Sequence, residues 1–137
     1  MVSMKEAINA MESAFMELSR GNVITPNRLS MDFPDKNATS LIMPAYITGN
    51  PYYCVKMVSI NYSNPQKGLP LIHSTVQVFD ASRGNQIATL DGVSITAIRT
   101  AAASALATKL MSKKDAMICA IFGTGVQASF HVKSIMK

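Results

Sequence analysis

The chain has no tryptophan, only two cysteines among 137 residues, and no long apolar run, and each of these gaps removes a class of protein. Cys54 and Cys119 lie far apart in apolar, strand-like segments, too few and too dispersed for a disulfide framework or a thiolate metal site. They read as buried, reduced thiols. No segment approaches the ~18 consecutive apolar residues of a membrane-spanning helix, and Lys5 and Glu6 stand where a signal peptide would have its apolar core. No membrane association and a cytoplasmic location are expected. Acidic residues are also scarce, 8 against 13 basic ones, for a net charge of +5. The basic residues are scattered singly apart from Lys113-Lys114, with no stripe interleaved with aromatics. Nucleic acid is therefore not an expected partner, and anionic small molecules are preferred. The two histidines, His73 and His131, have no metal-ligand spacing, so no metal is expected, and no Gly-x-Ser-x-Gly elbow supports covalent hydrolysis.

What remains is an apolar chain, 48% hydrophobic and 15% charged, long enough to bury roughly 70% of the surface its unfolded form exposes. Ser3-Met4-Lys5-Glu6 is a capping box, and Met4, Ile8, Met11, Phe15 and Leu18 recur at helical spacing until Gly21. Residues 22–39 are polar and broken by Pro26 and Pro34, a loop or short edge strand; Asn37-Ala38-Thr39 fits a glycosylation sequon by chance. Two β-rich runs, 40–47 and 53–60, flank the turn Thr48-Gly49-Asn50-Pro51. After a loop at 61–70, residues 71–80 and 86–90 predict a hairpin around Ala81-Ser82-Arg83-Gly84-Asn85. Residues 94–111 then predict a long alanine-rich helix, with Lys109, Lys113 and Lys114 at its C-terminal end, where the helix dipole favours cations.

The apolar run Ala116–Phe122 followed by Gly123-Thr124-Gly125-Val126-Gln127-Ala128 predicts a buried strand turning through two glycines into a helix. That is how a dinucleotide-binding unit begins, because the glycines let backbone amides approach a pyrophosphate at the helix N-terminus. The acidic residue that holds the ribose, about 20 positions further on, falls beyond Lys137. Three cations stand in apolar or turn-rich surroundings: Arg28, Lys56 and Arg99. A cation buried in such places needs a partner. Asp32, Asp80 or Asp91 could supply it, and so could the carboxylate or phosphate of a ligand; the residues alone leave both open.

Together, Val55-Lys56-Met57-Val58, Asn64-Pro65, Gly68-Leu69-Pro70, Leu90-Asp91-Gly92, Thr96-Ala97-Ile98-Arg99-Thr100-Ala101-Ala102-Ala103-Ser104-Ala105 and Phe122–Ala128 resemble the ornithine cyclodeaminase and mu-crystallin family, in order and over nearly the whole chain. The resemblance implies an α+β N-terminal substrate and dimerisation domain, residues 1–112, followed by the first β-α unit of a Rossmann-type α/β domain, residues 113–137. It implies a homodimer using NAD or NADP to move hydride at the α-carbon of a small amino or imino acid. Arg28 matches the arginine that holds the substrate carboxylate, Lys56 the active-site lysine, and Arg99 the arginine near both substrate and cofactor. Leu71 and His73 fall on the strand of the nicotinamide side, and Gly123, Thr124, Gly125, Val126 and Gln127 on the phosphate turn. Leu41-Ile42 stand where ornithine cyclodeaminases carry a glutamate before the Met-Pro matched by Met43-Pro44, which argues against ornithine as substrate. The family's proton-transferring aspartate falls beyond Lys137, so these residues by themselves are not expected to catalyse; a nucleotide- and ligand-holding protein in the manner of mu-crystallin and an inactive fragment are the alternatives.

Overall fold

A computed structural model describes residues 2–136, which divide into two compact units. One unit, Arg20–Ile95, is a six-stranded antiparallel sheet, built from β1 (Val23–Ile24), β2 (Leu29–Phe33), β3 (Ala38–Ile47), β4 (Tyr52–Asn61), β5 (Ile72–Asp80) and β6 (Gln86–Asp91). The path is β1-β3-β4-β5-β6, and β2 also pairs with β3. Residues 22–39, expected as a loop or short edge strand, thus supply two strands to one edge of β3. Propensity was hidden there by Pro26 and Pro34, which in fact sit just outside β2.

The shared edge of β3 explains how a proline can sit in an interior strand. Proline has no N–H for a ladder and is normally confined to sheet edges. On the β4 side Pro44 is opposite Val55. On the other side the β2 ladder ends at Ile42 and the β1 ladder begins at Tyr46, so Pro44 falls in the gap between them. The chain between β1 and β2, residues 25–28, connects across that gap.

The connections use local side-chain chemistry. After a 3-10 turn at Pro34–Lys36, Asn37 takes a left-handed conformation (φ 49°) and its carbonyl accepts the Tyr62 amide at 3.1 Å. Asparagine tolerates that region better than most residues, so the sequon residue has a structural task. In the β5–β6 hairpin, Asp80 Oδ1 accepts the amides of Ser82 and Arg83, each at 2.8 Å. Tyr53 and Phe79, opposite each other on β4 and β5, stack with ring centroids 4.9 Å apart.

Helix α2 (Gly92–Met111) follows β6 directly. Asp91 caps it by accepting the amides of Ser94 at 2.9 Å and Val93 at 3.4 Å, and the hydrogen bonds from Ser94 hold its carboxyl below the usual range. Gly92 is required by space: a Cβ there would overlap the Ser74 side chain and lie 2.8 Å from the Ser74 carbonyl carbon.

The other unit comprises Met1–Ser19 and Thr96–Lys137. It contains α1 (Met4–Ser19), most of α2, and α3 (Val126–Ile135). The capping box forms as expected: the Ser3 amide and hydroxyl both donate to Glu6 Oε2, and the Glu6 amide donates to Ser3 Oγ. α1 packs against α3. On α2 the buried residues are Ala97, Ala101, Ala102, Ala105 and Leu106. Their short side chains let neighbouring backbone approach closely, which is what an alanine-rich helix offers a core. Among the described residues no helix is long and apolar enough to cross a membrane.

The expected strand at 116–122 is absent. Those residues join no ladder, and Met117, Ile118 and Phe122 are each more than nine-tenths exposed. A strand exists through hydrogen bonds to a neighbour, and the sheet pairs only residues 23–91. Cys119, on the same segment, is exposed and not buried as expected, whereas Cys54 on β4 is half-buried.

The tight approach of Gly92 to β5 gives a direct test. Gly92→Ala should destabilise the sheet unit by about 1–3 kcal/mol, the usual cost of forcing atoms into filled space, read as a lower midpoint in urea. An unchanged midpoint would show that the β6–α2 junction yields freely.

Candidate functional site

The sheet register assigns each candidate residue to a face. Lys56 is opposite Met43 on β3 and Val76 on β5, and Val76 is in turn opposite Leu90 on β6. Residues opposite one another share a face, so the lysine stands in an apolar row. Arg28 directly precedes β2, whose first residue, Leu29, is opposite Ile42. Arg28 itself joins no ladder and ends the connection between β1 and β2. Leu41 and Val58, opposite each other, stand on the face of Lys56 two residues along.

His73 does not join this group. It is opposite Ser59, three residues from Lys56, and strict alternation puts it on the other face of the sheet. The strand expected on the nicotinamide side thus turns His73 to one face and Ile72, opposite Ile60, to the face of Lys56. Spacing alone could not reveal this, because which parity faces the lysine depends on the cross-strand register. Leu71 lies one residue before β5, with its carbonyl accepting the Asn61 amide at 3.0 Å.

Asp32, Asp80 and Asp91, each a possible partner for these cations, also hold local structure. Asp32 accepts the Thr39 hydroxyl at 2.8 Å, Asp80 holds its hairpin turn, and Asp91 caps α2. Arg28 and Arg99 are exposed; Arg99 lies on α2 within the helical unit. Among the described residues, no group of His, Cys, Asp and Glu is placed to hold a metal ion.

The glycine turn forms its own site. Gly123 has φ 106°, a conformation that only glycine adopts without strain, whereas Gly125 is extended (φ −74°, ψ −178°) and any residue could adopt it. A Cβ on Gly125 would meet no protein atom within 4 Å. Neither backbone nor packing explains that glycine, and the space its side chain would take opens on a cavity of about 280 Å³ lined by Gly123, Gly125, Gln127, Ala128, His131 and the segment before them. Helix α3 begins there with no side-chain cap. A helix start with open amides, a small residue beside it and adjacent room fits a phosphate group. Thr124 and Val126 on this turn are exposed.

A second cavity, about 340 Å³, is lined by Ile24, Pro26, Pro44, Ala45, Tyr46, Tyr53 and Ala81. Tyr46, Tyr53 and Pro44 belong to the face opposite Lys56. It is apolar and does not involve the cations.

Known proteins share this fold. The sequence matches the ornithine cyclodeaminase/mu-crystallin family over residues 1–137, and the chain belongs to that family. It is 38% identical over 135 residues to the Delta(1)-pyrroline-2-carboxylate reductase of Bacillus cereus, covering 98% of this chain and 42% of that protein. The structure of Thermococcus litoralis Delta(1)-pyrroline-2-carboxylate reductase in complex with NADH and L-proline superposes with a TM-score of 0.89 at 38% identity, over 98% of this chain and 42% of that one. An archaeal alanine dehydrogenase dimer with bound NAD gives a TM-score of 0.91 at 30% identity, over 98% and 41%. The chain spans less than half the length of these relatives.

The two thiols differ in a way that reports on the unpaired segment. Burial pushes the Cys54 thiol up, while Cys119 is exposed. A disulfide reagent added to the folded 137-residue chain should modify Cys119 quickly and Cys54 slowly, and Cys119→Ser should abolish the fast phase. A slow reaction at both would mean that segment 116–122 is covered.

Proposed function

We propose that this chain is the N-terminal part of an NAD- or NADP-dependent oxidoreductase acting at the α-carbon of a small amino or imino acid. Residues 1–112 form its substrate and dimerisation region, and residues 113–137 open its nucleotide region; this division follows role, not compactness. What supports the reading is the apolar row that holds Lys56 between Met43 and Val76, with Arg28 directly before β2, in a chain whose glycine turn also fits a phosphate.

When bound, the nicotinamide supplies or takes up the hydride. The chain's own residues do the rest. Arg28 pairs with the substrate carboxylate through its planar fork. Lys56 sets a second positive charge beside it, favouring the electron-poor imine carbon that receives hydride and offering a proton to the nitrogen. Arg99 is the third cation the family likeness assigns to substrate and cofactor. Gly123, Thr124, Gly125, Val126 and Gln127 would receive the pyrophosphate, with Leu71 and His73 on the strand of the nicotinamide side. Leu41, Met43, Val58, Val76 and Leu90 share the face of Lys56. That apolar surround favours a substrate side chain with no second ammonium group, such as pyrroline-2-carboxylate or an alanine-sized imino acid, over ornithine.

A homodimer is part of the proposal. Leu29, Met31, Phe33 and Met57 are exposed and stand together on the sheet face opposite Lys56, as an interface between copies requires.

The test uses the natural polypeptide that carries these residues. It should oxidise NADH or NADPH with pyrroline-2-carboxylate or with pyruvate and ammonia, and Lys56→Ala should lower kcat/KM by about a hundredfold or more. Cofactor binding without turnover on any imino acid would instead favour a ligand-holding protein. Normal turnover by the Lys56→Ala, Arg99→Ala double variant would refute the site assignment.

A further inference from the structure

His131 is engaged at both ring nitrogens. Nδ1 lies 2.7 Å from the Gln127 carbonyl oxygen, and Nε2 lies 2.9 Å from Ser104 Oγ. A carbonyl can only accept, so Nδ1 carries the proton, and Nε2 of the neutral ring accepts from the Ser104 hydroxyl. The geometry thereby selects one tautomer. It also joins the middle of α2, at Ser104, to the first turn of α3, at Gln127, and His131 lines the cavity beside Gly123 and Gly125. One turn further along, Ser134 is 2% exposed and its hydroxyl donates to the His131 carbonyl at 2.9 Å, so the helix around His131 is held from within.

That tie sits where α3 is weakest. The helix is ten residues long, starts without a side-chain cap, and follows a segment that joins no ladder. Short helices fray from such ends. The amides of this first turn are the ones that would meet a phosphate, and ordering them only at binding would cost affinity. We infer that His131, anchored by Ser104, is a positioning residue that holds the first turn of α3 ready for the cofactor's phosphates. It acts through the Gln127 carbonyl, away from the reacting atoms. The inference rests on the nucleotide-binding reading above.

Ser104→Ala is the informative variant, because Ser104 is not among the residues lining the cavity and alanine strengthens helix α2. In the natural polypeptide the NADH dissociation constant should rise about fivefold, the usual scale for one lost hydrogen bond. At saturating NADH, kcat and the imino-acid KM should stay unchanged. Ser104→Thr, which keeps the hydroxyl, should restore NADH affinity, and long-range proton–nitrogen NMR of the wild type should show His131 protonated at Nδ1. An unchanged NADH affinity in Ser104→Ala would overturn the inference. So would a loss shared equally by both substrates and not restored by threonine, or a ring protonated at Nε2. A wild type that binds neither NADH nor NADPH would sink the proposed function and this inference together, whereas normal wild-type binding with an unaffected Ser104→Ala sinks the inference alone.

Discussion

The antiparallel ladder between β3 and β4 runs unbroken from Ala38 opposite Asn61 to Tyr46 opposite Tyr53, and every other strand takes its register from it. Because side chains alternate, this one alignment decides which residues share a face with Lys56. A slip of β4 by one residue would send Lys56 to the side of Tyr46 and bring Met57 to the row of Val76 and Leu90. Two faces follow from the same ladder: one has Lys56 set among Met43, Val76 and Leu90, and the other carries the exposed Leu29, Met31, Phe33 and Met57. Pro44 adds a local consequence. With no N–H to give, it occupies the gap between the β1 and β2 ladders, and residues 25–28, which end in Arg28, connect those two strands.

The helical unit depends on a different economy of space. Alanines at 97, 101, 102 and 105 are nearly inaccessible, so α2 is held by close approach instead of bulky side chains. On that helix Ser104 presents a hydroxyl to His131, and His131 passes the connection to the first turn of α3. The glycines have separate reasons to be there. Gly123 is required by its left-handed backbone, while Gly125 is explained only by the room it leaves.

Much of this was legible in the amino-acid order wherever the determinants are local. The capping box at Ser3 and Glu6, the hairpin closed by Asp80 and Gly84, and the end of the sheet at Asp91-Gly92 each depend on residues a few positions apart, and each formed as expected. What escaped depends on distant partners. The amino-acid order left 22–39 open between a loop and a short edge strand, and it is the edge of β3 that makes Leu29–Phe33 a strand. The apolar run at 116–122 has the composition of a buried strand but no ladder among the described residues, so it stays exposed. His73 shares a segment with the predicted site yet faces away from Lys56, a matter of register. Ser104 and His131 are 27 positions apart, and no spacing rule connects them.

The proposed hydride transfer leaves a mark that can be followed atom by atom. The measurement supplies the natural polypeptide with NADH or NADPH carrying deuterium at both C4 positions of the nicotinamide, together with pyrroline-2-carboxylate or pyruvate and ammonia, and analyses the product by mass spectrometry. The proposed transfer puts one deuterium at the α-carbon of the amino acid formed, and forms it about a hundredfold or more slowly when Lys56 is replaced by alanine. Bound cofactor that yields no deuterated amino acid from any small imino acid would contradict it.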